Sequence, residues 1–470
     1  MTMMNRRKFL IASSAGVVSA AFSSPLLAAT SRIQSHPLVA SAGVANITSD
    51  PEIETGVWQY NGVTPGPTIR VKQGEPVSIP FENRLDQPTT VHWHGPRIAN
   101  NMDGVPGLTQ PVVEPGKTFH YQFTSRDAGT FWYHTHNRTW EQLARGLYGV
   151  LIVEERAPIR IDQDLVCVVD DWLIDDQGKI DDESFGNLHD WAHSGRLGNV
   201  LTVNGAHQPV FQVRSGERIR LRVLNVANAR IMPLRVKGVK ATAIAIDGQP
   251  ITPEVLTKGE FTLAPAQRID LVLDMLLAPG QQTEIEFIGR RKNLIAATLK
   301  CHPTEVRRTR PLEASIELPQ NPLPSSGDWS RATRFQLSME GGAMGRMQGA
   351  EYNGQWMGIR DLIKEKKIWA LNGIAGLPEK PFFSVRRGTS VVVDLENQNA
   401  WPHAMHVHGH HFREIGGSKE GKSVWRDTVL VEPGKTRRIA FVADNPGKWL
   451  IHCHMIEHHA GGMVTWFEVI

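Results

Sequence analysis

The sequence predicts an all-β protein built as three β-sandwich domains in series. Three observations carry this prediction: short alternating apolar and polar runs broken by Gly and Pro, one pattern that recurs three times, and a length of 470 residues. At roughly 150 residues per domain such a chain holds about three domains, each able to bury its own core. Thr68-Ile69-Arg70-Val71 and Arg218-Ile219-Arg220-Leu221-Arg222-Val223 are typical of the runs, short strands with frequent turn signals between them. In the recurring pattern, Asn61-Gly62 leads through Gly74 to Asn83, Asn204-Gly205 through Gly216 to Asn225, and Asn372-Gly373 through Gly388 to Asn397.

At the N-terminus, Arg6-Arg7-Lys8 precedes a mildly apolar Ala/Ser/Gly/Val run ending in Leu26-Leu27-Ala28-Ala29, the form of a signal peptide over residues 1–29. Its paired arginines resemble the twin-arginine type, which implies the export machinery for folded, cofactor-loaded proteins and a periplasmic location. A membrane anchor ranks second, because Ser and Gly weaken the run and no other stretch approaches the roughly 18 apolar residues of a span. No stable anchor is therefore expected after cleavage. Basic residues number 51 against 48 acidic, and Arg6, Arg7 and Lys8 are the whole excess, so the formal +3 belongs to this segment. The mature chain is neutral apart from its histidines. It has no basic footprint for nucleic acid and no charge block that would act as a tail. Three cysteines cannot staple a chain of this size, so the fold must rest on packing.

The predicted domains run over 30–156, 157–300 and 326–470, with a Pro-rich linker at 301–325. After Asn83 comes His92-Trp93-His94-Gly95 and after Asn397 comes His406-Val407-His408-Gly409, whereas the middle copy has Arg235-Val236-Lys237-Gly238. EPGKTFHYQF from Glu114 and EPGKTRRIAF from Glu432 correspond to APAQRIDLVL from Ala264. Both outer copies then reach a Gly, an aromatic and a His-x-His, at His134 and His136 and at His452 and His454. The middle copy keeps the frame without the imidazoles. It is expected to act as a spacer, with Arg235 and Lys237 as surface charges.

Ten of the 19 histidines fall in four groups: His92 and His94; His134 and His136; His403, His406 and His408; His452, His454 and His458. Alternate residues of a strand share a face, so each His-x-His sets two imidazoles side by side. A single pair is better taken as a polar strand face, but four pairs at equivalent positions of two repeats are not. Cys453 stands between His452 and His454 and so faces the other way. With His403, His458 and Met463 it completes two imidazoles, a thiolate and a weak thioether, the ligand set of a blue-copper site. Zinc would not call for a Met and eight further imidazoles.

The motifs HWHG, HTH, HAMHVHG and HCHMIEHHAGGM resemble the four copper signatures of the multicopper oxidases, over the whole mature chain. The resemblance implies three cupredoxin-like Greek-key domains and four copper ions. His403, Cys453, His458 and Met463 would be type 1 ligands, and His92 and His406 would hold type 2 copper. His94, His134, His136, His408, His452 and His454 would hold the type 3 pair. Thr135 takes the place of Cys453 in the first repeat, so no blue site is expected there. A small-molecule reductant would give single electrons to the type 1 site through the outer edge of His458 or His403. The trinuclear site would then reduce dioxygen to water. Asp103, in Asn101-Met102-Asp103-Gly104, matches an acidic residue that relatives use near type 2 copper, although a turn-forming Asp before Gly accounts for it nearly as well. His459 stands where many bacterial relatives carry a carboxylate, which leaves proton delivery on that side open. Met463 as axial ligand implies a modest potential.

A copper-poor structural or division-associated periplasmic protein of the same fold is the alternative of another class, and the intact ligand set argues against it. Among oxidases, phenols or aromatic amines are weighed against copper(I). Met339, Met344, Met347 and Met357 suit copper(I), and an adaptable core or flexible cover accounts for them equally well. Asn399 and Trp401, where copper(I)-oxidising relatives have Asp and Met, favour the laccase-like reading, with cuprous oxidation as a second activity. His189 and His193 are expected to be structural, and His410 and His411 solvated, with lining the approach to copper as their other reading. Cys167, in an apolar run, is expected to be a buried thiol, with pairing to Cys301 left open.

Overall fold

The computed structural model describes residues 33–324, 329–416 and 424–470, so the signal segment at 1–29 lies outside the described residues. Each repeat folds into two main sheets, and the third adds a two-stranded one, Gly349–Tyr352 with Gln355–Gly358. In the first, Pro76–Asn83 pairs with Thr118–Thr124, Leu38–Ala45 and Gln34–Ser35, and Thr55–Tyr60 extends that sheet. The facing sheet runs Gly66–Lys72, Tyr148–Glu154, Gly129–His134 and His92–His94. The middle repeat has a six-stranded sheet that includes Arg218–Asn225 and Arg268–Asp274, and a five-stranded one that includes Val210–Ser215 and Leu294–Val306. In the third, Phe383–Val385, Val464–Val469, Gly447–Cys453, His403–Val407 and Thr428–Val431 form the sheet that carries the histidine motifs.

Strand alternation explains how one strand serves a core and a site at once. Along Gly447–Cys453, Trp449, Ile451 and Cys453 enter the core of the third repeat, while Leu450 points the other way and packs with Val105 of the first repeat. His452 shares the face of Leu450. The same rule along Gly129–His134 puts Phe131 and Tyr133 in the core of the first repeat and leaves Trp132 and His134 on the opposite face. Register then sets imidazoles beside one another: His92 pairs with His134, and His406 with His452.

Residues 301–306, expected in the linker, continue the strand Leu294–Val306, with Cys301 opposite Val213. The Pro-rich stretch beyond it is packed rather than free. Asn321 exchanges two hydrogen bonds of 2.8 Å with the backbone of Ala128, and Arg97 donates to the Pro322 carbonyl at 2.9 Å. Arg235 and Lys237 are surface charges as expected, paired with Glu286 and Glu284.

Candidate metal centre

His403 opens the strand His403–Val407, Cys453 closes Gly447–Cys453, and His458 follows in the short helix Ile456–Ala460. All three are fully buried. Cys453 Sγ lies 3.6 Å from His403 Nδ1 and 3.8 Å from His458 Nδ1, and the two Nδ1 atoms are 3.0 Å apart. Their other nitrogens are occupied: His403 Nε2–H donates to Asn399 Oδ1 at 2.9 Å and His458 Nε2–H to the His193 carbonyl at 2.8 Å. Both free lone pairs therefore face the thiol. Burial holds His403 well below its usual pKa and His458 down to about 4, so both rings are neutral, as metal ligation requires. Burial also pushes the Cys453 thiol up to about 12, so a thiolate there needs a cation beside it. Met463 is buried in the same core, and its carbonyl accepts the Cys453 N–H at 3.1 Å. Trp369 walls the triangle, its ring centroid 4.4 Å from that of His458 and 5.0 Å from that of His403.

Between the first and third repeats eight imidazoles converge. His92 stacks on His408 at 4.0 Å and His94 on His406 at 3.7 Å, each pair bridging the two repeats. The Nε2 atoms of His408 and His452 are 3.1 Å apart, and those of His134 and His454 3.4 Å. Protein acceptors fix the outer nitrogens. Nδ1–H of His92 donates to the Asp103 carbonyl, that of His134 to the Thr135 carbonyl, that of His406 to the Asp427 carbonyl and that of His452 to the Cys453 carbonyl, at 2.7 to 2.9 Å. Among the described residues, His92 Nε2, His94 Nδ1, His136 Nε2, His406 Nε2 and His454 Nδ1 are left buried without a hydrogen-bond partner. Five orphaned ring nitrogens are costly in a bare protein and are what bound cations would satisfy.

Asp103 is buried and serves both repeats: its carbonyl takes His92 Nδ1–H and its Oδ2 takes His408 Nδ1–H at 2.9 Å. Burial raises its pKa against the opposing effect of His92. Gly104, with φ +84°, lets this turn press on the His92 strand, since a Cβ there would sit 2.0 Å from the Val91 carbonyl oxygen. His459 lies beside the cluster, 4.4 Å from His452 between ring centroids, and burial lowers it to about 3.

Several expectations need correction or completion. His410 and His411, expected in solvent, are 2% and 4% exposed: His410 packs among Phe441, Trp449 and Phe467, and His411 lies against Gln249 and Asp427. The outer edges of His403 and His458 are covered rather than open. His193 is more than a surface histidine, because its carbonyl caps His458, while His189 is exposed. The four methionines do not gather. Met339 is in the core of the third repeat, Met344 is 76% exposed, and Met347 and Met357 pack against Ala350 and Leu362. Cys167 and Cys301 are both free thiols in the core of the middle repeat. Asp427 and Arg268 carried no local signal beyond an Arg within APAQRIDLVL, yet both are fully buried against the cluster.

Two imidazoles with a thiol in one place and eight imidazoles in another call for copper rather than a single zinc, and they define a copper oxidase with a type 1 and a trinuclear site. Comparison with known proteins agrees. Three family models described as multicopper oxidase match residues 42–158, 163–283 and 349–470. The crystal structure of Lac15 from a marine microbial metagenome is 38% identical and covers 92% of this chain and 99% of its own, with a TM-score of 0.74. That of a multicopper oxidase from Pseudomonas thermotolerans is 32% identical, covers 93% and 100%, and gives 0.80. The multicopper oxidase MmcO of Mycobacterium tuberculosis is 29% identical over 445 residues, 87% of this chain and 82% of that protein. The chain belongs to the multicopper oxidase family and is an enzyme that uses dioxygen.

Proposed function

We propose that this enzyme is a laccase-like oxidase of phenols or aromatic amines, exported by the twin-arginine route to the periplasm. His403, Cys453, His458 and Met463 hold the type 1 copper in this reading. His92 and His406 hold type 2, and His94, His134, His136, His408, His452 and His454 hold the type 3 pair. The domains are taken as 30–156, 157–300 and 326–470. Copper, when bound, supplies one-electron chemistry at the triangle and the reduction of dioxygen to water at the cluster, which takes four electrons and four protons.

The chain's own residues do the rest. Cys453 joins the two sites covalently, since its neighbours His452 and His454 point to the cluster. Asp103, buried and hydrogen-bonded to His408, relays protons at the cluster edge. The aromatic reading rests on the rim of the triangle. His403 leans on an amide, Asn399, rather than a carboxylate, and Trp401 lies 5.2 Å from the His193 ring. A flat reductant seated on Trp401 and His193 would pass its electron to His458 through the His193 carbonyl contact.

Relatives named laccase and copper resistance protein both match this chain, so ancestry leaves the reductant open. Oxygen uptake by the copper-loaded protein with 2,6-dimethoxyphenol and with copper(I), in wild type and in a Met339/Met344/Met347 triple substitution to Leu, tests the reading. The phenol is expected to be the faster substrate and insensitive to the substitutions. Faster copper(I) oxidation, selectively lost in the variant, would reverse the order.

A further inference from the structure

We propose that Arg268 of the middle repeat, acting through Asp427, is the positioning residue that decides which nitrogen of His94 faces the trinuclear site. Arg268 and Asp427 are both fully buried and joined as a fork, Nη1 to Oδ1 at 2.9 Å and Nη2 to Oδ2 at 2.7 Å. A carboxylate gripped at both oxygens by a guanidinium stays ionised, so it can only accept. His94 Nε2, 3.2 Å from Asp427 Oδ1, must therefore carry the proton. Its Nδ1, buried and without a protein partner, becomes the ligating atom.

The backbone of the same residue does the reverse for the neighbouring ring. The Asp427 carbonyl accepts His406 Nδ1–H at 2.9 Å, which leaves His406 Nε2 free. His94 and His406 are stacked at 3.7 Å with 17° between their planes, so one residue holds two stacked imidazoles in opposite tautomers. Turning either ring would break its hydrogen bond to Asp427, charge-assisted in the case of His94, and the stack together.

Arg268 is anchored on its own side as well. Its Nε donates to the Thr130 carbonyl of the first repeat at 3.2 Å, and Nη1 donates to the Ala266 carbonyl at 3.2 Å. The neighbouring Gln267 donates to the Thr428 carbonyl at 3.0 Å. The glycine of HWHG makes room for this passage: a Cβ on Gly95 would fall 2.7 Å from Arg268 Nη2 and 2.8 Å from Asp427 Oδ2. The middle repeat, which brings none of the histidines or the cysteine of either site, thus sets the geometry of the trinuclear site by inserting one cation between the other two repeats.

The test uses copper-loaded Arg268→Met, Arg268→Lys and Asp427→Asn proteins and the Arg268→Met/Asp427→Asn double variant. Copper retained after dialysis against a chelator and the EPR signal of type 2 copper are measured, with blue absorption as the internal control. Arg268→Met and Asp427→Asn should each weaken retention at the trinuclear site about 10- to 100-fold and alter the type 2 signal, while blue absorption persists. Arg268→Lys, which keeps the charge and loses the fork, should fall between wild type and Arg268→Met. It carries the test alone if the Met variant does not fold. In the Asp427→Asn background, Arg268→Met should add less than about twofold, because it acts through that carboxylate. Unchanged retention and EPR in a folded Arg268 variant, fully additive effects, or blue absorption lost in step with trinuclear copper would each overturn the proposal.

Discussion

Replacing Asn399 by Asp would place a carboxylate where an amide oxygen now accepts the Nε2–H of His403 at 2.9 Å. His403 Nδ1 lies 3.6 Å from Cys453 Sγ on the far side of the ring. Allowing about 2 Å for the imidazole, the new charge sits roughly 7 Å from the centre of the triangle, which at an effective dielectric constant of about 20 is worth about 2.4 kcal/mol. Position 399 is only 7% exposed, so solvent screens little of this. A negative charge favours the oxidised, more positive site. With a tenfold change worth about 59 mV for one electron, the type 1 potential should therefore fall by about 100 mV. Redox titration of the blue absorption measures it directly, and oxygen uptake with a series of phenols should slow most for the least reducing member. A potential that rises, or one that moves by less than about 20 mV, would refute the electrostatic reasoning.

Asp103→Ala should lower steady-state oxygen uptake about 10- to 100-fold while leaving unchanged the anaerobic bleaching of the blue site by a phenol. Stability of the metal-free protein should depend steeply on pH. Burial takes His406 from 6.5 to about 3 and His458 to about 4, so the folded state binds fewer protons than the unfolded chain between those values and 6.5. Stability is then full above the unfolded value and lost as pH falls through that window, and a Tm that does not decline between about pH 6 and pH 4 would contradict this. Arg97, which makes a two-pronged contact with Asp127 and reaches Asp444 at 2.9 Å, should cost about 3 to 5 kcal/mol when replaced by Met, read by denaturant unfolding. Alkylation of the unfolded, metal-free chain without reductant should label all three cysteines, whereas a single label would mean that Cys167 and Cys301 pair.

The histidine motifs were legible because a strand needs no distant information to alternate its faces. Cys453 between His452 and His454 states locally that a thiol and two imidazoles point opposite ways, and the threefold frame says which repeats carry them. His410 and His411 were misjudged because adjacency to a motif says nothing of what will pack over it. In the fold, Phe441, Trp449 and Phe467 enclose the first, and Gln249 and Asp427 meet the second. The methionines were ambiguous for the same reason. Nothing in the order Met339, Met344, Met347, Met357 separates a core residue from an exposed one.

From its residue order alone, the chain commits to three related sandwiches, to copper, and to two outer repeats that share the ligands, since each of these follows from local spacing. The environment of those ligands was settled by long-range packing. Asp427 meets Arg268 from 159 residues away, His458 donates to His193 across 265, and His408 reaches Asp103 across 305. Such contacts form only when the three repeats close on one another, because most polar groups buried between them need partners that no short motif could announce.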